Sequence, residues 1–234
     1  MRYVCPVFKK GSRDCAENYR PVCLTSAVCR LFEKIVSFHI NNHLLRNNLI
    51  SDKQFGFVSK KSCTTQLIMT VNDWFSNMES KICSDCIYID FRKAFDSVSH
   101  RKSKKKLESY GIKGNLLRWL TKFSENRSQQ VIIDGSLSTS YPVISGIAQG
   151  SCLGPLLFLL YINDLPEVVC NGIEVRMFAD DVKMYNFGPL DPDSLQLCLN
   201  KIAEWSEIWQ LPIAENKTIN LRIGRKTTHA LVIT

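Results

Sequence analysis

The sequence is poor in the features that would take it out of the ordinary globular class. Glycine (11) and proline (8) are sparse in 234 residues, and no low-complexity tract or internal repeat stands out, so neither a disordered chain nor a repeat array is expected. The longest apolar run, LGPLLFLLYI (153–162), is about half of the roughly 20 residues that a bilayer-crossing helix needs. It reads as a buried helix, and no membrane association is expected. The opening MRYVCPVFKKGS lacks the apolar segment of a secretory leader. Ten cysteines at irregular spacing are therefore read as free thiols in a reduced, intracellular compartment, nuclear or cytoplasmic. A second C-x-x-C is missing as well. CSDC (83–86) stands alone, and His39 and His43, one helical turn apart, find no partner ligands. Buried thiols and surface histidines are expected, not zinc.

Acids are outnumbered, 22 to 30, which leaves a net charge of +8. A basic globular chain often has a nucleic-acid partner, although charge alone does not separate that from a protein basic by chance. A hydrophobic content of 45% is enough for one sizeable core or two lobes sharing one.

The segment pattern predicts loop and short extended pieces over 1–24. A helix follows over 25–46, where Val28, Leu31, Phe32, Ile35, Val36, Ile40 and Leu44 recur at helical spacing, and another over 64–78. CIYIDF (86–91) reads as a buried strand ending at Asp90. Further helices are expected in SVSHRKSKKKLESYG and GNLLRWLTKFSE, and a hairpin turning at Asp134–Gly135. Then come a helix capped near Ser151, two strands folded about Asp180 and Asp181, an amphipathic helix, and a closing strand KTINLRIG. Partial segregation of helices and strands indicates an α+β fold, a sheet with helices on one face. The expected division is a helical lobe over 1–82 and a sheet-bearing lobe over 83–234.

VRMFADDVKMY (175–185) sets two acids side by side. At about 4 Å and an effective dielectric of roughly 20, they would repel by about 4 kcal/mol, so a positive partner is expected. Asp90 and Asp180 each end an apolar strand and fit the same edge of one sheet. Carboxylates so placed suit Mg²⁺, and two such ions about 4 Å apart serve phosphoryl transfer. Alternation along a regular strand forbids Asp180 and Asp181 from both facing inward. Asp180 is the expected direct ligand with Asp90, and Asp181 the helper at the hairpin tip. For ADD alone, a solvated turn is the plainer reading.

The neighbouring segments change that. YIDFRKAFDSVSH (88–100), GIAQGSCLGPLLFLLYINDL (146–165), FADD (178–181) and, more weakly, WQLPIAENKT (209–218) occur in order. Upstream stand PVFKKG, NYRPVCLTS and QFGF, and between them LESYGIKGNLLRWL and NRSQQVIIDG. Together they resemble the reverse transcriptase of non-LTR, LINE-like retrotransposons of the jockey type. The resemblance implies a right-hand polymerase of fingers (1–82) and palm (83–234), its basic helical segment near 100–140 packing toward the fingers and its thumb largely absent beyond HALVIT. It implies extension of a DNA primer on an RNA template from deoxynucleoside triphosphates. Asp90, Asp180 and Asp181 would hold two Mg²⁺ ions, or Mn²⁺ in their place. Phe91, Phe95, Gln149 and Gly150 would meet the nucleotide, with Phe95 as the gate against a 2′-hydroxyl, and Lys217 would face the leaving pyrophosphate. Asp96 reads as a structural hydrogen-bonding acid. Lys60, Lys61, Arg101 and Lys104 are the candidates for nucleic acid or triphosphate, although RKSKKK (101–106) also reads as a solvated helix face. Ala148 and Val58 stand where the family usually has Pro and often Arg. The alternative reading is a truncated or decayed copy that binds nucleic acid without catalysis.

Overall fold

The structure is a computed structural model that describes residues 2–189 and 192–224. In chain order the elements are β1 (Arg2–Phe8), β2 (Tyr19–Leu24), α1 (Ala27–Arg46), α2 (Cys63–Glu79), β3 (Ser84–Ile89), α3 (Ala94–Ser97), α4 (His100–Ser109) and α5 (Gly114–Ser124). They continue with β4 (Arg127–Ile133), β5 (Ser136–Leu137), β6 (Tyr141–Val143), α6 (Gly154–Ile162), β7 (Ile173–Phe178), β8 (Asp181–Asn186), α7 (Pro192–Trp209) and β9 (Ile219–Ile223). The segment HALVIT, where a thumb was expected to begin, lies outside the described residues. The described residues form two compact units, one within 1–49 and 95–161, the other within 50–94 and from 162 onward.

The first unit carries a sheet in the order β2-β1-β4-β5, with β6 also on β4. The extended pieces expected over 1–24 are a registered antiparallel hairpin. Each strand carries a proline, which lacks the N–H that a ladder uses. In the structure Pro6 and Pro21 face each other, so both missing donors fall at one rung. The turn at Asp134–Gly135 is as expected, with φ of 49° and 79°, the left-handed pair that a two-residue hairpin favours. Helix α1 forms over the expected span, capped by the Ser26 hydroxyl, which accepts from Cys29 N–H. Its face differs from the apolar stripe in the sequence. Val28, Leu31, Phe32 and Ile35 are exposed, whereas Glu33, Ile40 and Leu44 are buried.

The second unit holds an antiparallel sheet in the order β7-β8-β3-β9. Alternation sorts its residues. Ile87, Ile89, Val182, Met184, Val175 and Met177 make an apolar face and are all buried. Helix α7 buries Leu195, Cys198, Leu199, Ile202 and Trp205 at helical spacing, and the Trp205 ring lies 6.4 Å from that of Phe91. Helix α2, with a capping box at Ser62 and Thr65, docks by polar bonds. Asp73 holds Arg176 and Tyr185, and Asn77 donates to Ser84 and to the Asn186 carbonyl. All ten cysteines are unbridged. No helix among the described residues is long and apolar enough to cross a membrane.

Candidate active site

The acids of the second unit are placed by strand register. Strands β3 and β8 pair Tyr88 with Lys183 and Ile89 with Val182, and β7 pairs Phe178 with Asp181. One further step along the β3–β8 register sets Asp90 opposite Asp181. By alternation both belong to the sheet's polar face, with Cys86, Tyr88 and Lys183. Ala179 and Asp180 form the two-residue turn between β7 and β8, so Asp180 is not bound by strand alternation. That removes the expected conflict between the paired acids. Asp180 is half-buried and Asp181 exposed. Ala179 has φ 57°, which costs a residue with a side chain about 1–3 kcal/mol and persists only where the surroundings enforce it.

Asp90 has a cation beside it. Its Oδ2 lies 3.2 Å from Lys217 Nζ, with the side chains 38% and 52% exposed. The weak fourth motif docks through its backbone. Arg92 N–H donates to the Pro212 carbonyl and Ala214 N–H to the Asp90 carbonyl, each at 2.7 Å, and Phe91 bridges Ile213. A 3₁₀ turn, Glu215–Lys217, then turns Lys217 toward Asp90. Phe91 is only 2% exposed, so its ring belongs to the core and only its backbone remains for a nucleotide.

Beside these acids the polar face is partly buried, with Cys86 and Lys183 both enclosed. Burial pushes the Cys86 thiol up to about 12 against the pull of Lys183. Burial also raises Tyr88, with Cys86 adding to it. Burial lowers Lys183, while Cys86, Cys63 and Asp181 act the other way. The acids at the sheet end offer carboxylate oxygens, the donor type that a hard divalent cation takes, and the charge facing Asp90 in the structure is the Lys217 ammonium. Among the described residues, no three His, Cys, Asp or Glu side chains are grouped closely enough to share one metal.

The loop of the second motif lies in the first unit and is fastened at each step. Gly146 N–H donates to the Val98 carbonyl and Ile147 N–H to the Phe95 carbonyl. Cys23 N–H donates to the Gln149 carbonyl at 2.8 Å, and the Gln149 side-chain amide donates to Asp96 at 2.9 Å. Asp96 is thus a hydrogen-bonding acid, as expected. Gly150 has φ 91°, and a Cβ there would lie 3.0 Å from the Cys23 carbonyl oxygen, so its close approach is to β2 of its own chain. Ala148 is buried with Val4 and Cys23. The Phe95 ring stacks on Phe158 at 4.4 Å. His100 and Arg127 both reach the Gly146 carbonyl, and burial, ahead of Arg127, lowers the His100 pKa.

Two residues were missed in the sequence. Glu33, fully buried on α1, accepts from Cys152 N–H (2.7 Å) and Leu153 N–H (3.1 Å), so a carboxylate caps the start of α6. Nothing local marked it. Gln54 is also fully buried and bonds to Ala179. Its place inside QFGF was the available signal. Of the basic candidates, Arg101, Lys104 and Lys60 are exposed. Lys61 is tied to its own loop. It donates to the Asp52 carbonyl at 2.5 Å, lies 4.9 Å from the Phe55 ring centre, and has its pKa lowered by burial against Asp52.

A family model described as reverse transcriptase (RNA-dependent DNA polymerase) matches residues 7–229. The chain belongs to the reverse transcriptase family. It is similar to the probable RNA-directed DNA polymerases of two Drosophila melanogaster transposons. It is 28% identical to that of X-element over 87% of this chain and 23% of the relative, and 28% identical to that of BS over 97% and 26%. The RNA-directed DNA polymerase of the mobile element jockey, also from Drosophila melanogaster, is 26% identical over 90% of this chain and 24% of its own length. The chain therefore spans about a quarter of these relatives. Among solved structures, a telomerase from Candida albicans matches 98% of this chain and 43% of its own, with TM-score 0.65 and 12% identity. A telomerase from Candida tropicalis covers 92% and 50%, with TM-score 0.62 and 11% identity. This likeness shows the α+β polymerase fold. In this fold Asp90 follows the end of β3, and Asp180 and Asp181 lie at the β7–β8 turn of the same antiparallel sheet.

Proposed function

We propose that this reverse transcriptase domain is an RNA-directed DNA polymerase of a retrotransposon, extending a DNA primer on an RNA template from deoxynucleoside triphosphates. The observation that carries the reading is the register of the second unit's sheet, which pairs Ile89 with Val182 and Phe178 with Asp181, so that Asp90 follows β3 at the end where β8 begins, with Asp180 in the adjoining turn. In this reading residues 1–82 act as fingers and 83–234 as palm.

Asp90, Asp180 and Asp181 would hold divalent cations, Mg²⁺ with Mn²⁺ as a substitute. When bound, these supply charge for deprotonating the primer hydroxyl and for the leaving pyrophosphate. Lys217, 3.2 Å from Asp90, would offer a proton or its charge to the leaving pyrophosphate. Gln149 and the Gly150 backbone meet the nucleotide, held in shape by Asp96, β2 and the Glu33 cap. Phe95, braced by Phe158, bars a 2′-hydroxyl. The Phe91 backbone would also meet the nucleotide. Lys60, Arg101 and Lys104 contact backbone phosphates.

The competing reading is a nucleic-acid-binding remnant without catalysis. It is favoured by the pairing of Asp90 with Lys217 and the lack of a three-ligand cluster among the described residues. Supplying one deoxynucleotide at a time to a labelled DNA primer on an RNA template separates the two. Polymerase activity gives incorporation only of the nucleotide complementary to the template base, abolished by a chelator. Tight template-primer binding with no incorporation supports the remnant.

A further inference from the structure

The segment 53–56 lies along the edge of β7. Phe55 N–H donates to the Met177 carbonyl at 2.8 Å, and Met177 N–H donates to the Lys53 carbonyl at 2.9 Å. This single parallel rung carries the fully buried Gln54 to the end of β7, where the turn of Ala179 and Asp180 begins. The Gln54 amide is used at both ends. Its Oε1 accepts from Ala179 N–H at 3.0 Å and from Gly56 N–H at 2.7 Å, and its Nε2 donates to the Ala179 carbonyl at 3.4 Å. Two N–H donors aimed at one atom fix which end of the amide is oxygen. Gly56 closes on the same residue. A Cβ there would lie 2.3 Å from Ala179 N and 2.9 Å from the Phe178 carbonyl carbon, so only glycine lets the loop approach. The residue so enclosed, Ala179, is the one with φ 57°.

We infer that Gln54, seated by Gly56, is a positioning residue of the polymerase site: by bracketing both polar groups of Ala179 it fixes the direction in which Asp180 leaves the turn. The consequence for chemistry rests on the polymerase reading; the bracket itself does not. Gln54 touches no reacting atom. A residue that only filled space would not need to bond both the N–H and the carbonyl of one strained turn residue. Without the bracket, Ala179 relaxes toward negative φ, Asp180 rotates, and the carboxylates at the sheet end lose their shared aim.

The test uses the full 234-residue chain and two substitutions that disturb Ala179 by different means. Gln54→Met keeps the side-chain length and removes the bonds. Gly56→Ala keeps Gln54 and presses on Ala179. Amide hydrogen exchange is followed in peptides covering 175–185, Mn²⁺ binding by electron paramagnetic resonance, and single-turnover incorporation against template-primer affinity. Both variants are expected to exchange faster in 175–185 than the parent, with other peptides unchanged. Mn²⁺ binding should weaken several-fold and incorporation should slow by about 10–100-fold, the scale expected when a reacting group is misplaced by about 1 Å. Template-primer affinity should stay within about twofold, which marks a loss at the chemical step and not of binding. Exchange and Mn²⁺ binding equal to the parent in both variants overturn the inference. Faster exchange throughout the chain, with affinity and rate lost together, also overturns it in favour of a plain structural role. If the parent itself incorporates nothing, the polymerase reading fails, and the exchange result alone decides whether Gln54 holds the turn.

Discussion

Cys86 carries a consequence that pH exposes. Its thiol is buried and pushed up to about 12, against an ordinary value near 9. Between those values the unfolded chain has released the proton while the folded chain keeps it, so the folded state binds more protons and stability falls as pH rises. Below about 9 both states hold the proton and there is no effect. The expected slope is about 1.4 kcal/mol per pH unit for one such thiol. Cys198, raised to about 11 by burial, adds to it. Melting curves from pH 8 to 10.5 should show the decline, and Cys86→Ala should flatten it. The placement of Asp90 after a strand and of Asp180 and Asp181 about a hairpin turn was legible one residue at a time, because each follows an apolar run. Glu33 and Lys61 were not legible. Whether a charged side chain faces solvent, caps a distant helix or folds back on its own loop depends on tertiary contacts that no local pattern encodes.

Single elements tell a similar story. Helix α1 was readable as a helix, and Ile40 and Leu44 of its apolar stripe are buried, but Val28, Leu31, Phe32 and Ile35 are not, because periodicity finds an apolar face without saying what meets it. The β1–β2 hairpin was hidden by its prolines, whereas the hairpins at Asp134–Gly135 and Ala179–Asp180 announced themselves through turn residues and flanking strands. The attachment of α2 to the sheet was also invisible, since it runs through polar bonds. Arg176 donates to Asp73 at 2.5 Å and to Tyr185 at 2.6 Å, while Tyr185 donates to Asp73 at 2.6 Å. Burial works against the Arg176 charge, but the bonds to Asp73 and Tyr185 outweigh it and leave its pKa raised. The pair is buried, with side chains 8% and 14% exposed. Arg176→Met should therefore cost about 3–5 kcal/mol in a denaturant titration, because it strands a buried carboxylate. Combining it with Asp73→Leu should recover most of that loss, since the uncompensated charge goes with it.

For the whole molecule, the net charge of +8 bears on binding before chemistry. If exposed Arg101 and Lys104 each neutralise a phosphate, the logarithm of template-primer affinity should fall linearly with the logarithm of salt, and each alanine substitution should reduce that slope by about 1. A slope unchanged in both variants would return the helix to a solvated face. The fold class was legible at this scale because motifs in fixed order constrain a topology that no single segment does. The two-unit division by contact was not, since the segment over 95–161 joins residues far from it in sequence.

The central claim is that the sheet end bearing Asp90, Asp180 and Asp181 makes DNA. The most direct measurement is primer extension on an RNA template with deoxynucleotides and Mg²⁺, comparing the chain with its Asp180→Ala variant. The account predicts extension by the parent, none without the metal, and loss by about 100-fold or more in the variant at unchanged template-primer affinity. Extension that survives Asp180→Ala would place the chemistry elsewhere. Binding without extension in both proteins would contradict the claim of catalysis.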